Sequence, residues 1–326
     1  MFTQFNNHIH QLLRTARQAR TSLALGISHE ATQVHAVQLR AGPHERLSLQ
    51  HHAHVSHLPL TPTQWGLTGA SLSALLPQLP TPTPDIIMAL PNHVASHQYV
   101  ALDPSGPAYD AQIHALLQQE TSADNLVTDY LCLDDDGPDS SPIGLLCFTH
   151  QDAVRHYQQV TQAQQLRLCC LDIEAFAALN AWYFWLKQCA PERLDQVLAL
   201  WHLKPTDVSL YVCQRQRLLL QAHLSLANEA DARSPQDQSA RFVQQTWQRF
   251  HATHAETISH VFVTGRHSDD PAFTNILHAV DTLFTVAHPI TALSASAAFS
   301  QATLDEHAPD LLIAFGLALR SLDDPH

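Results

Sequence analysis

The chain has 326 residues, 45% of them hydrophobic, enough to bury a large core and to form two domains. Its 17 Lys and Arg stand against 30 Asp and Glu, a formal net charge of −13, which excludes the basic footprint of a protein that tracks nucleic acid. The six cysteines contain no C-x-x-C pair and fall mostly in apolar runs, so the expected setting is a reducing cytoplasm with buried free thiols.

Residues 1–20 are expected to form an amphipathic helix. Phe2, Phe5, Ile9, Leu12 and Leu13 recur at helical spacing, and Arg14, Arg17 and Arg20 cluster at its end. Such a helix docks on its own domain, on a membrane surface or on a partner. No secretory apolar core precedes it, and no window approaches the ~18 apolar residues of a membrane span. Then "LALGISHEATQVHAVQL", residues 23–39, reads as two strands joined by a tight connection.

A third strand over 45–55 runs into "HHAHVSH", which places His52 and His54 on one face, a pattern open to metal ligation. With 24 histidines in the chain and no Cys or acid at a recognised spacing, solvated imidazoles on a strand edge are the expectation, and no metal. A Pro/Thr/Ser-rich passage holds a short helix around Leu72–Leu76.

From Asp85 a second unit begins, with the strand "DIIMALP", the extended "HQYVALD" and a helix over Tyr109–Glu120 that turns Ile113, Leu116 and Leu117 inward. "LVTDYLCLD" and "IGLLCFT" flank an acidic surface hairpin, "DDDGPDSSP". A helix with Val154, Tyr157 and Val160 on one face follows, and then "LCCLDIEAFAALNAW" passes from strand to helix. Asp172 and Glu174 are expected to cap that helix, and Cys169 and Cys170 to point to opposite faces.

In the last third, "DVSLYV" and "RLLLQAHLSL" make a hairpin. Val208, Leu210 and Val212 form one stripe, and Leu218, Leu220, Ala222, Leu224 and Leu226 a second. A helix bearing Phe242, Val243, Trp247 and Phe250 precedes the strand "HVFVTG". The chain closes with a helix from about Pro309 whose Leu311, Leu312, Phe315 and Leu319 form an apolar stripe.

No P-loop, dinucleotide or nucleophile-elbow glycine pattern occurs. Four segments in order, "ALGISHEATQVHAVQL", "LCCLDIEAFAALNAW", "DVSLYVCQRQRLLL" and "APDLLIAFGLALR", resemble the PilM family of type IV pilus assembly proteins, relatives in MSHA pilus biogenesis, and the cytoplasmic domain of type II secretion L-proteins. The resemblance spans nearly the whole chain. It implies an α/β, actin-like (ribonuclease H-like) two-domain fold. Residues 21–189 would be the first domain, carrying an inserted subdomain at about 85–165. Residues 190–326 would be the second domain, with a last helix at about 308–320 packing back on the first. It further implies an ATP cleft between the domains and, beside the insert, a groove for the cytoplasmic tail of PilN, an inner-membrane protein.

Matched position by position, the family's nucleotide residues are largely replaced. In the first phosphate hairpin Gly26 and Ile27 match, but Ser28 stands at the Asp position, Glu30 at a Gly position and His35 at the Lys position. In the second, Leu200, Trp201 and His202 occupy Asp-x-Gly ahead of Thr206; the adenosine loop keeps Gly265 but continues with Arg266 and His267.

Phosphate loops need glycine so that backbone N–H groups can reach the anion, and the chain has nine glycines in all. A Glu30 carboxylate ~4 Å from a phosphate oxygen costs about 4 kcal/mol per unit charge at an effective dielectric of 20. The expectation is a pseudo-ATPase scaffold of a pilus of the MSHA type or a close relative, cytoplasmic and peripheral to the inner membrane, that docks a PilN-like tail. No catalytic residue and no cofactor is expected, ATP with Mg²⁺ being the alternative. An active actin-like ATPase and the equivalent type II secretion scaffold are the rival expectations.

Overall fold

The computed structural model describes residues 23–29, 33–41, 47–56, 67–80, 85–103, 105–120, 125–133, 143–204, 206–215, 217–226, 234–266, 268, 271, 284–293 and 301–322. The helix expected at 1–20, Glu30 and His267 lie outside them.

A first mixed sheet has the strand order β3-β2-β1-β4-β8, made of β1 (Leu23–His29), β2 (Gln33–Ala41), β3 (Leu47–Ser56), β4 (Asp85–Leu90) and β8 (Arg167–Ile173). β1, β2 and β3 form an antiparallel meander, and β4 and β8 continue parallel to β1. Helix α1 (Gly69–Leu75) starts at Thr68, whose hydroxyl accepts from the Ser71 amide.

Residues 24–28 of β1 are buried without alternation, because both faces of the sheet are covered. The cover on one face is the last helix, α7 (Leu312–Arg320), in which Leu312 to Leu319 are all buried. Its sequence suggested a one-sided stripe; instead it lies between the first sheet and α4 (Glu174–Cys189), apolar all round as a buried helix must be. Gly26 is where the helix presses on the strand: a Cβ there would lie 2.2 Å from the Ala314 carbonyl oxygen. Gly316 lets α7 reach α4, since a Cβ there would lie 1.8 Å from the Ala177 carbonyl oxygen.

The insert consists of β5 (Ala95–Ala101), α2 (Tyr109–Glu120), β6 (Leu126–Leu133) and β7 (Ile143–His150), in the antiparallel order β5-β7-β6. Leu102, Ile113, Leu117 and Leu146 form its own small core. It is narrower than the span of about 85–165 expected from sequence. β4 pairs in the first sheet between β1 and β8, and α3 (Gln151–Ala163) buries Ala153 and Tyr157 in the first domain's core.

The second sheet repeats the first sheet's pattern in the order β11-β10-β9-β12-β13. Its strands are β9 (Val197–Leu203), β10 (Asp207–Gln214), β11 (Arg217–Ser225), β12 (His260–Gly265) and β13 (Phe284–Val286). The stripe expected along β11 is broken. A register shift at Val212/Cys213 pairs Val212 with Leu220 and Cys213 with Leu218, so Leu218 joins one apolar cluster and Leu220 packs on another.

Helix α5 (Pro235–Thr253) covers one face of this sheet through Val243 and Phe250. The other face turns Leu198, Leu200, Tyr211 and Phe262 into the first domain's core. Trp182 and Trp185 of α4 meet Phe262 edge-on, with centroids 5.6 and 5.3 Å apart. A short helix α6 (Gln301–His307) and a 3₁₀ turn (Ala308–Asp310) lead into α7.

Candidate functional site

In open α/β sheets the ligand crevice lies beyond the carboxyl ends of the parallel strands. Here those ends converge on one cleft. β1 ends at Ser28 and His29, β4 leads to Asn92, β8 to Glu174, β9 to Lys204 and β12 to Arg266; Asp310 enters from the turn before α7.

Two ion pairs cross the cleft. Lys204, 6% exposed, meets the Oε1 of Glu174 and lies 3.1 Å from Oδ1 of Asp207. Burial would raise the Asp207 pKa, but Lys204 and then His223 hold it below the usual carboxylate value. Arg266 forks onto Asp310, with Nε donating to Oδ1 at 3.0 Å. Burial acts on Asp310 in the same upward sense and is outweighed by the Arg266 hydrogen bond and charge, so its pKa is lowered. Asn92 adds a neutral bridge: its backbone N–H donates to Glu174 Oε2 at 3.3 Å and its Nδ2 to the Tyr211 hydroxyl at 2.9 Å.

Ser28 and His35 face each other across the first hairpin, and His35 lies opposite His54 of β3. His202 is the penultimate residue of β9. All three side chains are buried, and Ser28 Oγ, His35 Nε2 and His202 Nδ1 have no hydrogen-bond partner among the described residues. Burial pushes the His35 pKa down to about 4 against the pull of Asp310, and burial, then Lys204, pushes His202 down to about 3. Both imidazoles are therefore neutral at pH 7.

Leu200 and Trp201 are fully buried in β9, on opposite faces of the sheet, and neither faces the cleft. Thr206 sits at the β9–β10 turn, its hydroxyl 3.3 Å from Asp207 Oδ2. Gly265 has φ +100°, and a Cβ there would lie 2.0 Å from the Leu203 carbonyl oxygen of the neighbouring β9, so the turn out of β12 demands glycine.

Among the described residues, one cavity of about 50 Å³ at the cleft is lined by His35, His52, His54, Arg266, His307 and Asp310. His52 and His54 do share a face of β3, with ring centroids 4.7 and 5.7 Å from that of His307. His52 is half-buried rather than solvated, and burial, then His307, lowers its pKa to about 4. Among the described residues no three His, Cys, Asp or Glu side chains are grouped to hold a metal ion.

The carboxylates at 172 and 174 do not cap α4, whose N-cap is Ile173 with no side-chain bond. They diverge: Glu174 turns to Lys204, and Asp172 pairs with Arg320 of α7 at 3.1 Å. Each pairs with a cation, Lys204 buried and Arg320 half-exposed at the end of α7, which outbids the helix end. Cys169 is exposed and Cys170 half-buried, and a register shift in the β4–β8 pairing falls at Cys169; Cys189 is exposed too, so the thiols are not uniformly buried.

Sequence reasoning missed Lys204, Asp310, Asn92 and Tyr211 as members of the cleft. One signal was present: the chain has two lysines, and Lys204 follows a seven-residue apolar run directly.

A second concavity, of about 290 Å³, opens at the root of the insert. Val94, Ser96, Gln98, Leu126, Phe148 and His150 line it, where β5 leaves the core and β7 returns. Thr149 ties the root together by donating to the Val94 carbonyl at 3.0 Å.

No protein-family model and no curated protein matches the sequence. Among solved structures, the chain is similar to a chain of the PilM-PilN type IV pilus biogenesis complex, at 16% identity over 92% of this chain and 99% of that one, with a TM-score of 0.72. A Bacteroides thetaiotaomicron protein with actin-like ATPase fold and unknown function superposes with a TM-score of 0.49 at 12% identity, over 90% of this chain and 97% of that one. The cytoplasmic domain of EpsL, an inner membrane component of the Vibrio cholerae type II secretion system, gives 0.45 at 8% identity, over 84% and 85%. With its two sheets of matching strand order and its inserted subdomain, the chain is PilM-like in fold, a two-domain actin-like protein.

Proposed function

We propose that the chain is a non-hydrolysing scaffold of a type IV pilus assembly complex, of the MSHA type or a close relative, on the cytoplasmic side of the inner membrane. The observation that carries the reading is the likeness in fold, over nearly the whole of both chains, to a chain of the PilM-PilN complex. The groove at the root of the insert supports it, since it offers an extended peptide an apolar floor at Val94 and Phe148 and polar walls at Ser96 and Gln98. The occupant is the cytoplasmic tail of a PilN-like membrane protein.

Ser96 and Gln98 are exposed, so Ser96→Arg with Gln98→Arg blocks the groove without touching a core. Fluorescence anisotropy with a labelled tail peptide should show at least tenfold weaker binding to this variant than to the unmodified chain. Equal binding would place the docking site elsewhere.

The fold family implies Mg·ATP, and the residues present do not fit it. The cavity among the described residues of the cleft, about 50 Å³, falls far short of the ~300 Å³ lower end of small-molecule sites. Lys204, the buried cation of the cleft, is already neutralised by two carboxylates. Calorimetry with Mg²⁺ and a non-hydrolysable ATP analogue should therefore show no binding. A dissociation constant in the micromolar range or below overturns this part of the reading.

A further inference from the structure

We propose that the cleft between the two sheets is latched shut by the chain's own side chains, so that its halves stay closed with no ligand between them. The inference rests on the non-hydrolysing reading above and adds how closure is achieved. Three bridges leave the strand ends that in this architecture grip a ligand: Lys204 to Glu174, Arg266 to Asp310, and Asn92 to Tyr211. The first joins the β9–β10 turn to the start of α4, and the second joins the end of β12 to the turn before α7, which is docked on the first sheet.

The charges in the bridges, two cations against Glu174, Asp207 and Asp310, sum to −1 (2 − 3), which opposes an incoming anion. Behind the bridges the apolar seam is continuous. Trp182, Phe262, Leu200 and Tyr211 belong to one buried cluster, so separating the halves would expose aromatic surface to water. A ligand-gated clamp needs two states close in free energy, whereas paired charges backed by a shared core favour one.

The test uses the full chain and hydrogen-exchange mass spectrometry. In the unmodified protein, amides in 197–214 and 308–320 should be protected without nucleotide, and 5 mM Mg·ATP should leave their rates unchanged. Replacing every charged member of the bridges, Lys204→Met with Glu174→Gln and Asp207→Asn, and Arg266→Met with Asp310→Asn, leaves no partner charged and alone. Exchange in those two segments should then rise at least tenfold, while β7 in the insert stays at its original rate. Unchanged exchange in the combined variant overturns the latch alone; slowing of the unmodified protein by Mg·ATP overturns the latch together with the expectation that the cleft binds no nucleotide.

Should the combined variant fail to fold, small-angle scattering of the unmodified chain decides the matter. A nucleotide-free profile that fits the closed structure supports the latch, and one that requires separated halves overturns it.

Discussion

His35 and His202 are held neutral by burial, and that makes them acid sensors of stability. Their folded pKa values, about 4 and about 3, lie below the 6.5 of an exposed imidazole, so below pH 6.5 the unfolded chain binds protons that the folded chain refuses. Depressed values of this sign give stability that is fully present above about pH 6.5 and is lost as pH falls toward 4. Each residue contributes ~1.4 kcal/mol per pH unit, about 3 kcal/mol per unit for the two together. His52, lowered to about 4, acts in the same sense, so urea midpoints should be level between pH 7.5 and 6.5 and fall between pH 6 and 5, and His35→Gln should lessen that fall by ~1.4 kcal/mol per pH unit. A stability that is flat from pH 7.5 to 5 contradicts the assignment. Asp207 and Asp310 add nothing in this window, because their lowered values lie beneath 3.8. The sequence singled out His35 and His202 from their places in the two hairpins, and the structure shows both buried. It could not show their partners, since a lysine's countercharge is fixed by which strand ends meet, and pairing of distant strands leaves no local trace.

The packing of α7 against β1 and α4 is an arrangement in which glycine does what no larger residue can. At Gly26 and Gly316 the neighbouring backbones are too close for a methyl group, so Gly26→Ala forces α7 away from the sheet. Overpacking of this kind costs about 3 kcal/mol, and the thermal midpoint should drop by roughly 6–10 °C. A shift under 2 °C would mean that the helix relocates freely. Most elements were legible as hydrophobic periodicity: the β10–β11 hairpin, the stripe on α5 and the strand-to-helix passage into α4 all stand where the sequence put them. β9 was not read as a strand, although it is the centre of its sheet. A run such as "VLALWHL" has no alternation when both faces are buried, and only its length and the turn after it hint at a strand. The β10–β11 register shift was hidden for another reason, because an extra residue in one strand changes nothing in composition.

At the scale of the whole molecule, two sheets of one strand order face each other across a closed cleft, and the insert stands on the first as a separate small sheet. Its two ends are neighbours, since Ala95 pairs directly with Thr149. Removing residues 96–148 and joining the ends through a short glycine linker should therefore leave the far-ultraviolet spectrum of the rest intact while abolishing capture of the PilN-like tail. Retention of binding in that deletion would move the docking surface off the insert. The division into halves was visible in the repeated order of strands and helices, but the insert's borders were not, because β4 and α3 carry the same apolar patterns as the elements on either side of them.

One short turn has a consequence for genetics. Residues 91–94 supply Asn92, which holds Glu174 and Tyr211, and Val94, which floors the groove at the insert's root. Two residues of backbone separate the latch from the peptide groove, and the Val94 carbonyl is itself pinned by Thr149. A substitution in this turn cannot be confined to one of the two sites. Alleles isolated here for lost partner binding would carry altered cleft stability as well, whereas alleles at Gln98, an exposed residue of the groove, would separate the two traits.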